Sequence, residues 1–297
     1  MTLPDAPVYL PFEPGPYRMT MGLVARDPDD MIVIDNQYHE EMALRRDLLA
    51  TNGAEVFAGV PGYETAGAEV LAMLVELLPR RFPAWFTRSG SILHNRLTDE
   101  RWDLQASTMP PLELAGRLVQ EDLCIVRPAE SGPVLEAAVL CFPARWRLLD
   151  KLGLPLAAVH AHVPIYGDRL ARPVDRFMAT LRAGKLAERL NWSLNDDPAL
   201  FQQKGKGRVA FDSAITADNA GDRLFLRVER QTLRSLPESA RVLFTIRTYV
   251  YPLKLIASDP AVAERLAEAV EALPPEMQRY KSIPPYKAAL REYLTRR

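Results

Sequence analysis

The chain has 297 residues, room for one large domain or two small ones, and its 48% hydrophobic and 25% charged content is that of an ordinary globular protein. A formal net charge of -1 gives no broad basic field for nucleic acid, and no apolar run approaches the ~20 residues that cross a bilayer. Two cysteines, Cys124 and Cys141, are too few for a four-cysteine iron–sulfur cluster or a cysteine zinc site.

Each cysteine lies in an apolar run, LCIV or VLCF, so both are expected as buried free thiols. The segment Met1–Pro16 lacks a charged-then-apolar leader, and the expected compartment is the cytoplasm.

Taken in chain order, Leu3–Met21 reads as an extended arm anchored by Tyr9, Phe12 and Tyr17. MIVID at 31–35 reads as a short strand. Helices are expected at Tyr38–Thr51, whose apolar stripe holds Tyr38, Met42, Leu48 and Leu49, then at Thr65–Leu78 and Pro111–Gln120. LCIVRP (123–128) and VLEAAVLCFP (134–143) read as two strands joined by a loop containing Ser131-Gly132. Trp146–Leu152 is expected as a short helical element and Val174–Arg182 as a helix, with Pro173 suited to its first turn. Leu190–Leu194 suits a strand. Arg223–Leu233 and Arg241–Leu253 form the clearest strand pair, linked by SLPES. Asp259–Leu273 is a helix with Ser258 as cap and Pro260 at its first position, and Tyr286–Leu294 is the last. This order fits neither a βαβ alternation nor a helical bundle. It predicts an α+β fold with an antiparallel sheet in one domain over 1–297: a helical part to about 120, a sheet core to about 255 and C-terminal helices.

No GxGxxG follows a strand, and there is no GxxxxGK[ST], HExxH or GxSxG. GKGR at 205–208 is too short for a phosphate loop and reads as an exposed turn. Redox chemistry would therefore need electrons from another protein. His160 and His162, in LAAVHAHVPIYG, point to one side if the segment is extended, which suits a metal or haem ligand with a polar neighbour. The plain alternative is a hydrogen-bonded structural histidine. In the strand pair, Arg227 and Glu229 share one face, as do Arg247 and Tyr249. One register brings all four together; a slip by one residue separates them. The plain alternative there is a solvated face with cross-strand ion pairs. Asp35, Tyr38 and Arg45 read as capping and packing residues.

The segments IDNQYHEEMALRRDLL, HAHVPIY, VDRFMATLRAGKLAERLNWSL, LRVERQTLRSLP and VLFTIRTYVYPL resemble the haem-dependent oxidative N-demethylase family, from about Tyr17 to Leu294. The resemblance implies haem b in an enlarged PAS-like fold with flanking helices. It also implies oxygen-dependent removal of a methyl group from a small secondary amine, with release of formaldehyde. Electrons would come from partner subunits carrying flavin and ferredoxin. His160 matches the family's histidine before the Val-Pro turn and is the expected axial ligand. Position 162 departs from the family's proline, which keeps His162 as the alternative. Arg227, Glu229, Arg230, Gln231 and Thr232 match one strand motif, and Arg247 and Tyr249 match the next. On chemical grounds Glu229 would pair with the cationic amine, Arg227, Arg230 or Arg247 would clamp a haem propionate or orient that carboxylate, and Tyr249 would donate a hydrogen bond to the reacting oxygen. A haem-binding PAS-like sensor or carrier without catalysis is the competing function, and a haem-free interaction module a further one.

Overall fold

A computed structural model describes residues 2–296. Its strands, in chain order, are β1 (Val24–Arg26), β2 (Phe57–Gly59), β3 (Phe86–Ser89), β4 (Ile92–Asn95), β5 (Glu100–Asp103), β6 (Asp122–Arg127), β7 (Val134–Val139), β8 (Leu186–Asn195), β9 (Phe225–Leu236) and β10 (Arg241–Pro252). Seven of them make one antiparallel sheet in the order β1-β8-β9-β10-β6-β7-β2, and β3-β4-β5 make a separate small meander. The architecture is mixed α+β.

Helices cover one face of the large sheet. Over its β10-β6-β7 half lie Tyr38–Thr51, Glu64–Arg81 and Pro111–Gly116, which pack Met42, Leu49, Leu74 and Leu112 with Leu123, Ile125, Val139 and Leu243. Over the β8-β9-β10 half, Pro260–Ala272 and Lys287–Thr295 pack Leu266, Val270 and Leu290 with Leu194, Leu226, Val228 and Tyr249. The other face carries two smaller apolar clusters, around Cys124, Leu135, Leu148 and Ile246 and around Val126, Leu156, Met178, Leu233 and Val242. The chain between β7 and β8, the N-terminal arm over 11–23 and residues 269–282 together line the main cavity. Close packing at the helical layer explains Gly116: a Cβ there would lie 2.6 Å from Cγ1 of Val139.

Several expectations are corrected. In MIVID, Met31 ends a 3-10 turn (Pro28–Met31), and residues 32–35 join no ladder, two of their backbone donors going to side chains: Val33 N–H to Glu121 Oε1 at 2.9 Å and Asp35 N–H to Gln120 Oε1 at 3.4 Å. Trp146–Leu152 is a series of turns rather than a helix. The helix expected from Val174 starts earlier, at Arg172, continuing a π-turn at Gly167–Ala171, and ends at Thr180. Asp259, not Ser258, caps Pro260–Ala272, accepting from the Ala261 N–H at 2.9 Å. Both cysteines are free and buried, and burial raises their thiol pKa values.

Candidate functional site

β9 and β10 pair with Leu236 opposite Arg241, which places Glu229 opposite Thr248, Val228 opposite Tyr249 and Arg230 opposite Arg247. Residues directly opposite share a face of the sheet. Arg227, Glu229 and Gln231 therefore look toward the cavity, together with Arg189, Asn191 and Ser193 of β8. Arg230, Arg247 and Tyr249 look toward the helical layer. Of the two registers the sequence allows, the observed one separates Arg227 and Glu229 from Arg247 and Tyr249.

On the helical side Arg247 is fully buried. Its guanidinium meets Asp35 Oδ2 at 2.9 Å and Glu41 Oε2 at 2.7 Å and donates to the Thr248 carbonyl at 2.8 Å. Asp35 also accepts the Gln37 N–H at 3.0 Å at the start of the helix, so it caps and pairs at once. Arg45 binds Asp122 Oδ1 at 3.0 Å in the same layer. Tyr249 lies beneath the Arg247 guanidinium at 4.5 Å, and its buried hydroxyl has no hydrogen-bond partner. Burial pushes the Glu121 carboxyl up to about 7 despite nearby Arg247. Arg230 pairs with Glu188 at 2.6 Å and lines a second cavity of about 570 Å³ on this side. These arrangements leave Arg230, Arg247 and Tyr249 outside the main cavity.

The main cavity measures about 1070 Å³, just above the ~300–1,000 Å³ that small-molecule sites occupy. One wall is apolar, with Leu156, Val159, Val163, Leu170 and Phe177, and in it stands His160. The segment expected to be extended is instead a short helix, Leu156–Val159, with His160 at its C-terminal cap. Both imidazoles line the cavity, in different surroundings. His160 Nδ1 lies 2.8 Å from the Leu156 carbonyl, which can only accept, so Nδ1 carries the proton and Nε2 keeps its lone pair. The ring stacks on Tyr166 at 4.6 Å and 16°, and desolvation lowers its pKa, keeping it neutral. His162 is exposed, with Nδ1 3.4 Å from Lys151 Nζ and its ring against Tyr280; desolvation and nearby lysines pull it down to about 4.

Across the cavity, Glu229 is fixed by donors at one oxygen: Asn191 Nδ2 at 3.2 Å and Gln231 Nε2 at 2.8 Å both reach Oε2. Arg227 is buried behind it and ties down the adjoining loops, donating to the carbonyls of Phe142 at 2.7 Å, Ala199 at 3.2 Å and Leu200 at 3.2 Å. Sequence reasoning missed Arg189, Lys206, Lys281, Tyr166 and Trp192. The alternation in ERLNWSLN signals Arg189 and Asn191 on one strand face; nothing in the GKGR turn marks Lys206 as a cavity residue.

Among the described residues no three His, Cys, Asp or Glu groups gather to hold a bare metal ion. A single neutral imidazole with its distal nitrogen orienting on a backbone carbonyl is the donor set of a metal that brings its other ligands in a macrocycle. Haem thus fits the residues present. Among the described residues no helix is long and apolar enough to cross a membrane. The family described as haem-dependent oxidative N-demethylase, alpha subunit-like, matches residues 22–291, and the chain belongs to that family.

Proposed function

We propose that this member of the family is the haem-binding oxygenase subunit of an oxidative N-demethylase. It would take a methyl group from a small alkylamine with dioxygen and external electrons. We take the seven-stranded sheet as an enlarged PAS-like core within one domain. The supporting observation is His160: a neutral ring whose Nδ1–H is bound to the Leu156 carbonyl and whose Nε2 has no protein partner among the described residues. His160 would hold the iron, and Leu156, Val159, Val163, Leu170 and Phe177 would flank the porphyrin.

Haem b, when bound, supplies dioxygen activation, with electrons delivered by flavin and iron–sulfur subunits because this chain has no motif for either carrier. The protein's own work is positioning. An alkylammonium entering the cavity meets Glu229, whose Oε2 is already saturated by Asn191 and Gln231, so Oε1 is the atom left to pair with it and accept its proton. Arg227 holds the loops under Glu229 and keeps that carboxylate at a fixed height over the sheet. The apolar wall excludes water from the methyl group.

The test is an absorption spectrum of the purified chain reconstituted with haem, oxidised and then reduced under carbon monoxide, followed by formaldehyde release from dimethylamine with a chemical or protein reductant. A histidine-ligated spectrum lost in His160→Ala and amine-dependent formaldehyde support the proposal. A haem-binding chain whose bands ignore amines and which releases no formaldehyde would instead be a sensor or carrier.

A further inference from the structure

Five cations lining the main cavity form no ion pair among the described residues, and three of them face Glu229. Arg189 projects from β8 beside Gln231, Lys206 comes from the Gly205–Gly207 turn, and Lys281 follows the helix Pro275–Tyr280. None forms an ion pair among the described residues. The Arg189 Nε is buried and makes no hydrogen bond. Lys206 rests its ammonium over the Tyr280 ring at 4.4 Å. Lys281 donates to the Trp192 carbonyl and lies over that residue's ring at 5.1 Å, leaving further N–H donors unspent.

The acids nearby do not balance them. Glu188 is taken by Arg26 at 2.9 Å and Arg230 at 2.6 Å. Glu229 alone acts on all three, so these three cations share one carboxylate, and Lys151 adds a further positive charge that acts on Lys206. Burying charge without a partner is costly, and such groups mark a place where an anion completes the structure. Burial accordingly pulls both lysines down to about 8.

We propose that Arg189, Lys206 and Lys281 form a carboxylate-binding pole of the cavity. This rests on the cavity being the cofactor and substrate site. Two sources offer that chemistry: the paired propionates of a porphyrin, which bring two negative charges to these cations, and the carboxylate of an N-methyl amino acid whose ammonium would meet Glu229. Either way the pole sets orientation. It fixes the edge of the macrocycle, or it selects zwitterionic over simple amines.

Iron-free protoporphyrin IX and its dimethyl ester separate this inference from the His160 assignment, because neither can bond to the imidazole through a metal. Binding is followed by quenching of tryptophan fluorescence. If propionates are the ligand, the free acid binds about tenfold tighter than the ester, and Lys206→Gln/Lys281→Gln erases the difference. Lys206→Met alone serves as a second variant, since that side chain makes no hydrogen bond or ion pair and gives up only its contact with the Tyr280 ring. If the substrate carboxylate is the ligand, calorimetry shows N-methylglycine binding the chain more tightly than dimethylamine, and the same variants abolish the preference. Equal binding of acid and ester together with no preference for N-methylglycine would overturn the proposal. Loss of the haem spectrum in His160→Ala bears on the proposed function and leaves this result untouched.

Discussion

The His160 imidazole lies parallel to the Tyr166 ring, 4.6 Å away, while its Nδ1–H is bound to the Leu156 carbonyl. Two independent contacts therefore fix both the tautomer and the plane of one side chain. His160→Ala should abolish the imidazole-ligated haem spectrum, whereas His162→Ala should leave it in place. Tyr166→Leu, which keeps an apolar side chain in the cavity wall and removes the stack, should weaken haem binding by about three- to tenfold, the worth of an aromatic pair at ~0.5–1.5 kcal/mol. A titration with haem followed at the Soret band measures all three, and a spectrum lost only in the His162 variant would reverse the ligand assignment.

Glu229→Gln should leave haem content unchanged and remove amine turnover. The amide can still accept from Asn191 or Gln231, so the cavity wall persists while the anionic charge is gone. Formaldehyde release and the haem-to-protein ratio, measured on one preparation, check this. Unaltered turnover would reject the role given to this carboxylate.

Arg247→Met should unfold the protein at markedly lower denaturant and cost about 3–5 kcal/mol, because Asp35 and Glu41 would be left as buried carboxylates without their cation. Haem binding by the folded fraction should stay at the wild-type level, since Arg247 lies on the helical side of the sheet. Urea unfolding with parallel haem titration distinguishes this from a role in the cavity.

Glu121 makes the stability depend on pH in an unusual direction for an acid. Burial raises its carboxyl from an ordinary 4.5 to about 7, so the native chain holds a proton that the unfolded chain releases. Its contribution to stability is complete below 4.5 and is lost as the pH rises through about 7. Glu121→Gln should remove this slope, because the amide oxygen can keep the Val33 N–H bond and carries no titrating proton. Thermal melts between pH 5 and 8, compared with wild type, should show the variant gaining most at the alkaline end; parallel curves would count against it.

Much of the fold was legible because long amphipathic patterns state their own class. Tyr38–Thr51 has the predicted ends, and β9 and β10 lie where strict alternation put them. Their register was not legible. Polar residues alternate in both strands, so two alignments satisfy the pattern, and the choice falls to the loop from Pro237 to Ala240. That loop uses a left-handed backbone at Ala240 (φ 54°), where no glycine announces it. The three strands of the small meander are four residues each, too short and polar to show a period. Of the cavity lining, His160 and Glu229 were singled out in the sequence, both by their match to the family's motifs and Glu229 also by strand alternation. Lys206 and Lys281 were not, since only tertiary folding brings a loop and a helix end to the same cavity. The expectation of an extended HxH failed because Pro155 starts a helical turn just ahead of it.

The large sheet ends on either side in strands of only three residues, Val24–Arg26 and Phe57–Gly59. These two outermost strands offer little ladder to a neighbouring molecule, and along the stretch of β8 that β1 leaves uncovered the Trp192 carbonyl is already claimed by Lys281. Short borders of this kind discourage strand-by-strand growth between copies. A subunit so built can keep a wide, apolar-walled chamber open within it without inviting the self-association that unpaired β edges otherwise provoke.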